Sequence, residues 1–75
     1  MSENMSFDYS KLRGRIVEKF GTLSAFANSF GCSDGTLSAK MASKTYFTNE
    51  EIVSACKLLN IGFEDVEQYF FTLKV

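Results

Sequence analysis

Two short helical patterns meet at one glycine in residues 22–41, which read TLSAFANSFGCSDGTLSAKM. In the first pattern, apolar side chains recur at helical spacing, at Leu23, Phe26, Ala27 and Phe30. Thr22 is expected to cap this helix, and Gly31 to end it in the left-handed conformation. Ser33 is expected to cap a second helix, in which Leu37 faces inward. The segment therefore predicts two short helices that are joined by a tight turn.

Two longer helices are predicted on either side of this pair. The earlier one is expected to begin at an N-cap, Asp8, and to end at Gly21. The later one begins at a capping box, in which Thr48 and Glu51 satisfy each other's backbone amides. It is expected to end at Asn60, because asparagine tolerates the left-handed conformation.

The C-terminal part adds a fifth helix. Its apolar spacing predicts a helix over residues 63–70, with Phe63 on the inner face. Residues 69–75 are rich in strand-forming side chains and fit either a helix or a short strand. A chain of this length forms one core, so the sequence predicts a single all-α domain over residues 1–75, with residues 1–6 as a disordered tail.

The composition excludes most catalytic and metal-binding classes. The 75 residues include no histidine, whereas Ser-His-Asp and Cys-His catalysis and the usual zinc sites require imidazole. The two cysteines, Cys32 and Cys56, do not form a Cys-x-x-Cys pair, and no apolar run is long enough to cross a membrane. We therefore expect a cytoplasmic protein that is not an enzyme, with no metal, cofactor, membrane partner or small-molecule substrate.

The net charge of −1 combines a basic segment with an acidic one. Residues 11–44 contain six Lys or Arg and two acids, whereas residues 45–75 contain two Lys and five acids. On the first predicted helix, Lys11, Arg15 and Lys19 recur at four-residue intervals and form a basic stripe. A basic segment of this kind indicates either a surface that binds a polyanion or a face that is simply solvated.

The pair of helices in residues 22–41 has the layout of a helix-turn-helix. The apolar, small, turn and core positions of that motif are occupied by Phe26, Ala27, Phe30, Gly31 and Leu37. The chain resembles the phage Cro and repressor proteins, which have the lambda-repressor-like fold of five helices. It is more closely similar to small early regulators of temperate phages of Gram-positive bacteria, from FDYSKLRG at residues 7–14 to YFF at residues 69–71. That group includes Cro-like DNA-binding proteins and modulator-of-repression proteins, which bind the phage repressor.

The resemblance implies a transcriptional regulator of the lysis/lysogeny switch that binds operator DNA in the bacterial host cell, in the manner of Cro. A homodimer is also implied, because one such module contacts only a half-site. The residues implied at the DNA or partner interface are Leu23, Ser33, Asp34, Gly35, Thr36, Ser38, Ala39, Lys40 and Lys44. The basic stripe of Lys11, Arg15 and Lys19 would contact phosphates or an acidic partner.

A second hypothesis follows from departures from the family pattern. The predicted reading face carries no Arg, Asn or Gln, which are the side chains that make bidentate contacts with bases. Leu23 stands where the family commonly has a phosphate-binding Gln, and Asp34 repels phosphate. A small and partly acidic face also suits another protein. The alternative is therefore an antirepressor that binds the N-terminal DNA-binding domain of the phage repressor.

A separate prediction concerns the C-terminal segment, in which residues 71–75 are a candidate dimer surface.

Overall fold

The computed structural model describes residues 6–74 and contains five α-helices in that range. They are α1 Ser10–Phe20, α2 Leu23–Phe30, α3 Asp34–Met41, α4 Asn49–Leu59 and α5 Val66–Phe70, with one 3-10 turn at Phe63–Asp65. None of these helices is long and apolar enough to cross a membrane. The prediction of an all-α domain with five helices is confirmed. The predicted tail lies outside the described residues, except for Ser6.

Local cap chemistry begins and ends the central helices where the sequence predicts. The hydroxyls of Thr22, Ser33 and Thr48 each accept a hydrogen bond at 3.1 Å from the backbone amide three residues later. Gly31 and Asn60 end α2 and α4 in the left-handed region, with φ of 94° and 56°. Because the cap hydroxyls accept from backbone amides that the helix itself leaves free, they fix where α2, α3 and α4 begin, and Gly31 and Asn60 fix where α2 and α4 end.

The start of α1 differs slightly from the prediction. Tyr9, not Asp8, occupies the N-cap position and makes no side-chain cap bond. The Asp8 carboxylate still accepts hydrogen bonds from the amide and the hydroxyl of Ser10, at 2.9 and 2.6 Å. The predicted capping group is therefore present, one residue farther from the helix.

The prediction for the fifth helix is wrong at its start. Residues 63–65 form a 3-10 turn, and α5 begins only at Val66. A 3-10 turn has three residues per turn, so it breaks the 3.6-residue spacing that would align Phe63 with Phe70 on one face. As a result Phe70 is buried, whereas Phe63 is 69% exposed.

A cluster of aromatic rings packs in the core, together with buried aliphatic side chains from α1, α3 and α4. Phe26 of α2 is fully buried, at 5.3 Å from the ring of Phe20 and 5.2 Å from that of Phe30. Phe47 and Phe70 extend the cluster toward α5, with ring centres 5.3 Å apart. Each fully buried side chain of this size stabilises the fold by roughly 1.5–3 kcal/mol. The buried side of α2 thus holds the α2–α3 pair on the rest of the domain.

The two ends of the described chain pair with each other. Backbone hydrogen bonds join Asp8 to Thr72 at 2.7 Å and Lys74 to Ser6 at 2.9 Å. The pairing amounts to one isolated antiparallel bridge, between residues 7 and 73. Of the residues 69–75 for which the sequence left helix or strand open, residues 69 and 70 complete α5, whereas residues 71–74 are neither a continuation of α5 nor a full strand.

Gly14 gives a direct test of the α1 assignment. It lies in the middle of α1, and a Cβ atom added there meets nothing within 4 Å. Since glycine costs about 0.8–1 kcal/mol relative to alanine inside a helix, we expect Gly14→Ala to raise the free energy of unfolding by about 0.5–1 kcal/mol. Urea denaturation followed by circular dichroism measures this change.

Gly31→Ala is the control for that substitution. Gly31 has φ of 94°, where a side chain is strained, so this variant should lose about 1–2 kcal/mol. A destabilised Gly14→Ala variant would contradict the open helical position that the structure gives to Gly14.

Candidate functional site

The candidate site is the exposed side of α3, which we call the α3 face. It comprises the exposed residues of this helix and of its cap, Ser33, Asp34, Gly35, Thr36 and Ser38. Leu37 and Met41 point the other way, into the core. The structure thus brings five of the predicted interface residues together on one surface. Leu23 and Ala39 are half-buried beside it.

Asp34 is fixed at the start of α3 by a hydrogen bond from another helix. The hydroxyl of Ser24, in α2, donates to Asp34 Oδ2 at 2.6 Å. Asp34 also lies in the first turn of α3, where the helix dipole favours a negative charge. The carboxylate is exposed and held in one orientation, so it can receive a cationic group without first being ordered. Sequence reasoning did not find Ser24, because no local pattern links residues ten positions apart.

Lys40 does not lie on the α3 face, contrary to the prediction that it contacts DNA or a partner. Its side chain runs inward, and the residue is 8% exposed. The ammonium donates to the carbonyl of Tyr46 at 3.2 Å and lies 3.0 Å from Glu51 Oε1. It also lies 5.8 Å from the ring centre of Phe47. Lys40 therefore joins α3 to the start of α4, and its charge is neutralised inside the protein.

Glu51 is the carboxylate that receives Lys40. Partial burial alone would raise the pKa of Glu51, but the backbone amide of Thr48 and the ammonium of Lys40 outweigh it, and the pKa is lowered. The Thr48 amide donates to Glu51 Oε1 at 2.9 Å, as the capping box requires. One carboxylate thus caps α4 and holds the cation from α3.

The basic stripe does not form one free surface, because the guanidinium of Arg15 is bonded to the end of α4. Its Nε and Nη2 atoms donate to the carbonyls of Leu59 and Asn60, at 2.9 and 3.0 Å. Its Nη1 atom lies 3.3 Å from Glu18. A cation at this position satisfies the carbonyl groups at the end of α4 and complements its dipole. Arg15 therefore holds α1 against α4.

The other predicted cations differ in their surroundings. The Lys11 ammonium lies over the ring of Tyr69, 5.3 Å from its centre. Lys19 and Lys44 are exposed, and Lys44 follows the end of α3. Of the predicted cations, only these three present their charge at the surface, and none of them is on the α3 face.

The chemistry of the α3 face follows from this arrangement. Its side chains are small hydroxyls, one glycine and one carboxylate, so its formal charge is negative. In residues 6–74 no group of three or more Cys, Asp or Glu side chains could hold a metal ion. The α3 face therefore matches a partner that offers cationic groups, and it is poorly matched to phosphate.

Comparison with known proteins finds similarity over nearly the whole chain. A family model described as "Protein of unknown function (DUF739)" matches residues 5–73. The solution structure of the modulator of repression (MOR) of the temperate bacteriophage TP901-1 from Lactococcus lactis is similar, with a TM-score of 0.80 and 40% sequence identity. The similarity covers 92% of this chain and 93% of that one. No curated protein matches.

The buried position of Lys40 predicts a structural role for this cation. Lys40→Ala removes a hydrogen bond and an ion pair from a site with little water, so we expect a loss of about 1–3 kcal/mol in the free energy of unfolding. Lys44→Ala is the matched control, since Lys44 is exposed and should change stability by less than about 0.5 kcal/mol. Equal stability of both variants in urea denaturation would show that Lys40 is not held as described.

The lowered pKa of Glu51 predicts how stability depends on pH. A carboxyl group with a lower pKa in the folded than in the unfolded chain stabilises fully above the unfolded value, near 4.5 for Glu51. That contribution is lost as the pH falls through the folded value. Below pH 4.5 we therefore expect the unfolding free energy to fall less steeply in Glu51→Gln than in the unmodified protein.

Urea titrations between about pH 6 and about pH 3 measure this difference. The pKa of Asp8 is also lowered, by its hydrogen bonds to Ser10, but Asp8 is present in both proteins and does not affect the comparison. Parallel pH curves for the two proteins would contradict the assignment to Glu51.

Proposed function

Because the chain belongs to the DUF739 family and shares its whole fold with a phage modulator of repression, we propose that it is itself a modulator of repression. In this proposal it is an antirepressor that binds the N-terminal DNA-binding domain of a phage repressor. That relative is a regulatory protein of a temperate phage.

The observation that carries the proposal is the absence of a cation on the α3 face. In a helix that reads DNA, Arg, Lys, Asn or Gln side chains reach base edges and phosphates. Here the exposed positions carry Ser33, Asp34, Gly35, Thr36 and Ser38, and the nearby Lys40 is paired with Glu51 inside the protein. The charge on this face has the same sign as phosphate. The Cro-like hypothesis of direct operator binding remains a prediction, and this geometry favours the antirepressor instead.

The DNA-binding domain of a repressor has the complementary chemistry. Any protein that binds operator DNA must present Lys or Arg side chains to the phosphates and base edges. Asp34 offers such a side chain a carboxylate, and Gly35 and the small hydroxyl residues allow a close approach. A repressor whose reading surface is covered in this way cannot bind its operator. The proposed mechanism is therefore steric and electrostatic exclusion of DNA.

The fold prepares this surface before binding. Ser24 holds Asp34, the Leu37 side chain anchors α3 in the core, and the pair of Lys40 with Glu51 ties the end of α3 to α4. Ordering a flexible segment on binding would reduce the affinity, and a rigid surface avoids that cost. In this proposal α2 and α3 together present a docking face that is formed before the partner binds.

The test is binding to the separately produced N-terminal domain of the repressor encoded beside this gene. We expect a complex in size-exclusion chromatography, with a Kd measured by calorimetry. Asp34→Lys should weaken that Kd by at least about tenfold, because it places a cation against cations. Glu67→Lys is the matched control, since Glu67 is also an exposed acid in the first turn of a helix. It should leave the Kd unchanged.

The same preparation tests the DNA-binding alternative. We expect no shift of a labelled operator duplex by the protein alone, even near 50 mM salt, where phosphate contacts are strongest. Specific binding of operator, combined with failure to bind the repressor domain, would overturn the antirepressor proposal and support the Cro-like one.

A further inference from the structure

An exposed apolar surface shares no residue with the α3 face and has no role in the function proposed above. We call it the Phe63 patch, and it comprises Val53 of α4, Phe63 of the 3-10 turn and Phe71 after α5. Their exposed fractions are 36%, 69% and 48%. Phe63 projects between two open hollows of about 350 and 380 Å³, both of which include Val53 and Phe63 in their walls. Exposed aromatic side chains grouped in this way mark an interaction surface.

We propose that the Phe63 patch binds a second copy of this chain. The dimer is two-fold symmetric, with the two α4 helices antiparallel across the axis near Val53. In it the Phe63 ring of each copy enters the hollow that the other copy forms between α4 and Phe71.

The charges beside the patch are arranged for this symmetry. Glu50, Val53 and Lys57 are exposed and follow each other at spacings of three and four residues, so they form one stripe along α4. The acid lies in the first turn of the helix and the cation in the last turn. When two such stripes pack antiparallel, Glu50 of each copy faces Lys57 of the partner subunit. A two-fold interface requires a surface that complements itself, and this stripe meets that condition.

The shape of the patch is complementary to itself in the same way. The 380 Å³ hollow is lined chiefly by Ile52, Val53, Val66 and Phe71, which are apolar. Phe63 forms part of the wall of this hollow and also projects from the surface, so one surface offers both an apolar projection and an apolar hollow. Burial of both rings removes exposed aromatic area from a chain whose single core is small.

The inference is independent of repressor binding, because no residue of the α3 face belongs to the patch. It agrees in part with the sequence-based expectation that residues 71–75 contribute to a dimer, since Phe71 lines the hollow. It adds Val53 of α4 and also Phe63, which the sequence analysis predicted on the inner face of the fifth helix.

Analytical ultracentrifugation of the full chain, from about 10 μM to about 1 mM, tests the proposal. We expect a monomer–dimer equilibrium in this range. Phe63→Ser should weaken the dimer at least tenfold, and circular dichroism should show that this exposed substitution leaves the fold intact. A protein that stays monomeric up to about 1 mM would overturn the proposal, as would a dimer that is insensitive to Phe63→Ser.

Exchanging the charges of Glu50 and Lys57 tests the antiparallel arrangement of the two α4 helices. Glu50→Lys and Lys57→Glu should each weaken the dimer, because each places like charges opposite each other. The double variant carries both changes in every copy, so it should restore the affinity to within a few-fold of the original. Asp34→Lys is the control, and it should leave the dimer unchanged. A double variant that dimerises no better than the single variants would overturn the antiparallel arrangement.

A repressor-binding measurement separates this proposal from the previous one. Phe63→Ser should retain the affinity for the repressor domain, while Asp34→Lys should retain the dimer. Loss of repressor binding in Phe63→Ser, in a protein that does not self-associate, would assign the patch to the repressor and overturn the dimer.

Discussion

The ion pair of Lys40 with Glu51 joins α3 to α4 and sets the charge of the candidate site. The ammonium and the carboxylate are 3.0 Å apart, and the lysine is 8% exposed. The pair connects the end of α3 to the capping box of α4, across a loop whose Tyr46 carbonyl also accepts from the ammonium. Because this cation is neutralised inside, the outer side of α3 carries the negative charge of Asp34. One interaction thus stabilises the helix and removes from its surface the charge that DNA would require.

The parts of the fold that depend on neighbouring residues could be predicted from the sequence. The caps at Thr22 and Ser33, the capping box at Thr48 and the left-handed end at Asn60 are each decided within about four residues. The apolar spacing around Phe26 likewise predicts which side of α2 is buried. These features are sufficient to predict an all-α domain and to place the α2–α3 pair.

The parts that depend on distant contacts were not predictable in this way. A lysine near the end of an exposed-looking helix has the same local pattern whether it points out or in. The direction of the Lys40 side chain depends on an acid eleven residues later. The direction of the Arg15 side chain depends on carbonyl groups more than forty residues away. The anchoring of Asp34 depends on a serine in another helix. The exposure of Phe63 follows from a 3-10 turn, which has fewer residues per turn than an α-helix and therefore directs the Phe63 side chain away from the core. Five of the predicted site residues therefore lie on one face, but the sign of the charge on that face had to come from the structure.

We propose that the α3 face covers the surface with which a repressor binds DNA. The most direct measurement is a competition, in which the protein is titrated into a complex of the repressor's N-terminal domain with fluorescent operator DNA. If the α3 face excludes operator DNA, the fluorescence anisotropy should decrease to that of free DNA as the protein approaches equimolarity with the repressor domain. An anisotropy that stays constant, or that rises because the protein joins the complex on DNA, would contradict it.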